Sequence, residues 1–164
     1  MIKRLFVLTL LLACLSTSWR VAAQPTSIEA SVEKIVEEFK DAKDVNSIAL
    51  RKGEGLGLVK EMFKSKFGKA FMKDVTFIAF IEYTKASADT YKALRTRLDA
   101  LASTLHEFKT EDKDAKPGQY VKGFATFNGD TSISDFMIIA EDSESRIFIY
   151  MGGTLHLDKL QLQL

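Results

Sequence analysis

The last third of the chain most constrains the fold. Three apolar runs follow one another with almost no chain between them: residues 119–127, 132–140 and 146–151. Asn128-Gly129 separates the first two and Asp142-Ser143-Glu144-Ser145 the second two. Asn-Gly suits a type I′ turn, whose two central residues both need positive φ, so it joins antiparallel strands. The region therefore reads as a three-stranded β-meander. Gly152-Gly153 is expected to break the third strand, and Thr154 to Leu164 to form a short terminal helix or strand, with its leucines favouring a strand near the end.

The chain before the meander reads differently. Thr26-Ser27-Ile28-Glu29 has capping-box form, with Thr26 as the cap. Ile28, Val32, Ile35, Val36 and Phe39 then share one face at helical spacing. Residues 45–52 read as a strand. Gly53, Gly55 and Gly57 form a loop, followed by a second helix carrying Leu58, Val59, Met62, Phe63 and Phe67 and ending near Gly68. Val75 to Tyr83 is apolar on both faces, as in a strand at the middle of a sheet. Ser87 caps a long helix, with Asp89 in its first turn. Its seam runs through Tyr91, Leu94, Leu98, Leu101, Leu105 and Phe108. The charged run 111–116 and Pro117-Gly118 make a solvated loop.

Helices early and consecutive hairpins late argue for an α+β fold rather than a doubly wound parallel sheet. The expectation is a single domain over residues 27–164, with a mixed or antiparallel sheet of about five strands that ends in a meander and packs against two to three helices.

The N-terminus has the order of an export signal. Lys3 and Arg4 precede an uncharged run from Leu5 to Leu15, and small residues follow at Val21 and Ala23. The run is too short to span a bilayer, which takes roughly 20 residues. Cleavage after Ala23 defines a signal peptide of residues 1–23. The alternative is a lipoprotein signal of residues 1–13, because Leu11-Leu12-Ala13-Cys14 is similar to a lipobox and would leave Cys14 lipidated. The reading favours cleavage after Ala23. One product diffuses in the periplasm or medium; the other is held on a membrane by its acyl chains.

Residues 1–23 hold Lys3, Arg4 and Arg20 and no acid, so their removal leaves 20 basic against 22 acidic side chains, a net charge of −2. That balance argues against a nucleic-acid binder, which needs a concentrated positive field. Cys14 and Trp19 are the only residues of their kinds. After cleavage at Ala23 the chain has no thiol, and its stability comes from the core.

No catalytic set stands out. The glycine cluster lacks the spacing of a phosphate loop, since Lys60 occupies the position of the third glycine. His106 and His156 are the only histidines, too few for a zinc site without several acids. No Gly-x-Ser-x-Gly elbow occurs. No catalytic residue, metal or cofactor is expected. If a catalytic pair existed, His106 with Glu107 or Asp135 would be the place to look. The best candidate for an interaction surface is Phe63, Phe67 and Phe71 at four-residue spacing, among Lys60 and Lys64.

Four stretches suggest a relative: residues 32–39 (VEKIVEEF), 45–50 (VNSIAL), 133–140 (ISDFMIIA) and 147–157 (IFIYMGGTLHL). In their order and apolar pattern they resemble the domain of unknown function 4252 family, exported or lipoprotein-like bacterial envelope proteins. The resemblance implies an envelope location and an α+β fold; it implies no activity.

The expected function is that of a non-enzymatic binding or scaffolding module of the cell envelope. Its expected partner is another envelope protein or the membrane surface. The alternative is a small-molecule or lipid carrier, with a cavity between the sheet and the long helix lined by Phe77, Phe80, Leu94, Leu98, Leu101, Phe124 and Phe136.

Overall fold

The computed structural model describes residues 27–159, apart from residues 54, 69 and 109–119 and the side chains of residues 62–67. The export signal with Cys14, the cap at Thr26, the charged run 111–116 and the tail from residue 160 lie outside the described residues.

Helix α1 spans Ile28–Phe39. Its cap is Ser27, one residue after the one expected, and the Ser27 hydroxyl accepts from the Ala30 N–H at 3.1 Å. Helix α2 spans Leu56–Phe67 and helix α3 Ala88–Ala102. Ser87 caps α3 as its sequence predicts, accepting from Thr90 N–H at 3.2 Å.

The expected seam of α3 is longer than the helix. The Ser103 and Thr104 hydroxyls donate to the carbonyls of Ala100 and Leu101, both at 2.7 Å. They bond two carbonyls of the last turn, of which that of Leu101 also accepts the Thr104 N–H at 3.1 Å. The chain then leaves the helix, and His106–Phe108 forms a short edge strand. That strand is the sixth, where about five are expected from the apolar runs.

The strands are β1 (Asn46–Arg51), β2 (Asp74–Glu82), β3 (His106–Phe108), β4 (Tyr120–Asn128), β5 (Ser132–Glu141) and β6 (Arg146–His156). They form one open sheet in the order β1-β2-β6-β5-β4-β3, and every neighbouring pair is antiparallel. β2 lies inside the sheet, as its two-faced apolar pattern requires. The sheet and three helices make an α+β domain.

Helices α1 and α3 cover one face. Val32, Ile35, Val36 and Phe39 of α1 and Leu94, Leu98 and Leu101 of α3 pack on Phe77, Ile81, Phe124, Met137, Ile139, Phe148 and Tyr150 of the sheet. The second face carries a smaller core of Leu56, Met72, Val75, Ile78, Ala125, Ile133, Met151 and Leu155.

Gly152-Gly153 does not break β6. The strand continues to His156, and a one-turn 3-10 helix, Leu157–Lys159, follows. Gly153 has φ 95°, which L side chains avoid. The pairing register slips here on both sides, between Val75 and Phe77 of β2 and between Ser134 and Phe136 of β5. It slips again between Phe124 and Thr126 of β4. The irregularities form one row across four strands. A bulge bends its strand and reverses which residues face which side. So Val75 and Ile78, three apart, face the same side of β2, and Ile133 and Phe136 the same side of β5.

Candidate functional site

The row of bulges builds a groove on the second face. Its volume is about 440 Å³. Phe71 and Met72 enter from the segment after α2, Phe108 from β3 and Phe127 from β4. Ile133, Phe136 and Ile138 come from β5, Ile149 and Met151 from β6, and Leu157 from the turn beyond it. The ten described lining residues are all apolar. Size and lining fit a small-molecule site, except that such sites usually add a few polar groups to fix orientation.

Two aromatic rings form one wall. Phe108 stacks on Phe136 with centroids 5.7 Å apart and planes 20° from parallel. Phe108 also lies flat on the backbone of Gly123, where a Cβ would come within 2.3 Å of the ring. Gly123 is thus the reason the short strand β3 can lay an aromatic side chain on the sheet. Phe127 stands half exposed at the mouth, with His106 edge-on at 6.3 Å.

Charged groups border the end formed by Phe71, Met72 and Leu157. The His156 N–H donates to the carbonyl of Phe71 at 3.1 Å. Its ring Nε2 lies 2.7 Å from Asp74 Oδ2, and that hydrogen bond holds the Asp74 carboxyl below the usual carboxylate range. Lys60 donates from Nζ to the carbonyl of Lys73 at 3.0 Å. Partial burial lowers the Lys60 ammonium below its ordinary value.

The expected interaction surface falls partly on this site. Phe71 is a wall of the groove, and Lys60 reaches the carbonyl of Lys73, the residue after the lining Met72; the side chains of Phe63, Lys64 and Phe67 lie outside the described residues. The expected cavity beneath α3 needs correction. Phe77, Leu94, Leu98, Leu101 and Phe124 do lie between the sheet and α3, but they are packed there at 0–7% exposure. Phe136 faces the opposite side, and strand alternation puts Phe80 there with Ile78. The apolar groove is on the far face of the sheet from the long helix.

The histidines do not meet. His106 is on β3 and His156 on β6, with β4 and β5 between them, which separates them by roughly 14 Å. Glu107 pairs with Lys122 at 3.1 Å. Asp135 serves the bulge instead: at φ 50° it accepts from the Tyr150 hydroxyl at 2.7 Å. Among the described residues, no three His, Cys, Asp or Glu side chains cluster as a metal site would need. No described helix is long and apolar enough to cross a membrane.

A second polar cluster ties α3 to the end of the sheet. The Tyr83 hydroxyl donates to Glu141 at 2.8 Å and the Tyr91 hydroxyl at 3.3 Å. Arg95 lies 3.6 Å from Glu141 and 3.0 Å from Asp99, with its guanidinium over the Tyr120 ring.

Tyr83 and Tyr150 are fully buried. Burial pushes both phenols far above their ordinary range, and the carboxylates that accept from them, Glu141 and Asp135, push the same way. A group with a raised folded pKa stabilises the fold fully below its unfolded pKa and loses that contribution as pH climbs above it. Tyrosine's unfolded value is about 10. Urea midpoints measured upward from that pH should therefore fall, and Tyr150→Phe should flatten the decline. A decline parallel to wild type would remove this assignment.

Set against known proteins, the chain matches no protein-family model, no curated protein and no solved structure.

Proposed function

We propose that this protein is an exported, non-enzymatic binding module that takes an apolar ligand into the groove on the second face of its sheet. One observation carries the reading: ten apolar side chains enclose about 440 Å³ on the sheet face that α3 does not cover. Closing such a surface over an apolar ligand is favourable by about 25 cal/mol for each Å² removed from water. The N-terminal order of charge, apolar run and small residues supports export, to the periplasm or medium if cut after Ala23, or to a membrane surface if lipidated on Cys14. The resemblance to the domain of unknown function 4252 family supports the same location.

Nile red, a neutral dye that fluoresces in apolar surroundings, is the direct probe. It should bind the protein, and Ile138→Trp should weaken binding at least about tenfold by filling the groove with indole. Ile138 is only partly buried, so the fold tolerates the larger side chain, and an unchanged urea midpoint would show it. Dye binding that survives the substitution would place the ligand site elsewhere.

A further inference from the structure

We infer that the ligand is a single-chain amphiphile with an anionic head, its chain in the groove and its head held at Lys60. This rests on the reading of the groove as a ligand site. Among the described residues the groove offers a head group nothing, because each of them that lines it is apolar. A polar end buried there without partners would cost several kcal/mol, so it must leave by a mouth.

The charge at one mouth is unequal. Lys60 and Lys73 come near the Phe71, Met72 and Leu157 end against Asp74, while Asp158 and Lys159, next to Leu157, pair with each other. Asp74 is already engaged by His156. Lys60 spends one donor on the carbonyl of Lys73, and an ammonium has three. No carboxylate of the described residues forms an ion pair with it. Asp74 attracts it only from beyond ion-pair distance, and a partly buried ammonium in no direct ion pair with a described residue is suited to receive an anion, since partial desolvation strengthens that attraction. A cationic head would meet repulsion at the same place, and a neutral head would leave Lys60 as it is.

Displacement of Nile red by dodecanoate, 1-dodecanol and dodecyltrimethylammonium, each below its micelle concentration, tests the head group on the purified, host-processed protein. Dodecanoate should displace the dye at least about tenfold more effectively than dodecanol, and the ammonium compound least well. Lys60→Glu should remove the preference for dodecanoate while leaving dodecanol within about twofold of wild type. Lys60→Gln, which removes the charge without adding a negative one and has a helix propensity close to that of Lys, guards against a local loss of helix in Lys60→Glu. Equal binding of dodecanoate and dodecanol, or no change in either Lys60 variant, would overturn the anionic head and leave the groove as an apolar site. Failure of dodecanol and dodecanoate alike to displace the dye would overturn the groove itself.

Discussion

Gly153→Ala should lower the stability of this protein by at least about 3 kcal/mol, read as a shift of the urea midpoint. Two costs combine. Gly153 has φ 95°, where a side chain strains the backbone. A Cβ there would also lie 2.3 Å from the carbonyl oxygen of Asp74 and 2.9 Å from the Thr76 nitrogen. Both are backbone atoms of the neighbouring strand and cannot turn aside. Gly129 separates the two costs. Its φ is 71°, but a Cβ would meet nothing within 4 Å. Gly129→Ala should therefore cost only about 1–2 kcal/mol, the backbone part alone. If the two substitutions cost the same, the close approach of β6 to β2 is not what requires glycine at 153. Because Gly153 sits in the row of bulges, a folded Gly153→Ala protein should also bind Nile red less well than wild type.

Glu141→Ala should cost about 3 kcal/mol on the same measurement. The Glu141 and Arg95 side chains are 14% and 15% exposed, so neither charge is well solvated. Removing the carboxylate leaves the buried Tyr83 hydroxyl without its acceptor and leaves Arg95 with Asp99, which is mostly in water. The pair's net contribution is a different quantity from the cost of breaking it. Replacing the whole group by apolar residues of similar shape is often near neutral, because the desolvation of both charges is then avoided. The triple variant Tyr83→Phe, Arg95→Met, Glu141→Leu should accordingly lie closer to wild type than Glu141→Ala does. A triple variant less stable than the single one would mean that the cluster stabilises the domain beyond satisfying its own members.

Much of the fold was legible because its signals are local. The two-faced apolar run of β2, the hairpin at Asn128-Gly129 and the cap at Ser87 each depend on residues close together in the chain. Periodicity overran the end of α3, since Leu105 and Phe108 keep the helical step. What ends the helix is hydroxyl bonding at Ser103 and Thr104, and what recruits Phe108 is pairing of β3 with β4 over Gly123. The glycine pair at 152–153 lies inside a continuous strand for a related reason. Paired glycines signal an interruption in local terms, whereas here they allow a bulge within a continuous strand.

The groove shows the same limit more sharply. Phe71 and Lys60 belonged to a stripe visible in the sequence; in the structure Phe71 lines the groove and Lys60 bonds the carbonyl of Lys73, beside the lining Met72. Phe136 was expected to line a cavity beneath the long helix, and Ile133, Ile138 and Ile149 carried no mark that set them apart from core residues. They share the groove because the bulge at Asp135 lets Ile133 and Phe136 face one side, and because β3 supplies a wall from the edge of the sheet.

The sequence by itself determined the class of fold: hairpins too close to cross over, helices with their caps and apolar faces, and a central strand apolar on both sides. Those features follow from short-range geometry and from the need to bury apolar surface. Only the tertiary structure decided which face of the sheet holds the open space. Face assignment depends on register, and each bulge reverses it. Three adjoining irregularities, spread over four strands distant in sequence, placed the groove opposite the long helix rather than beneath it.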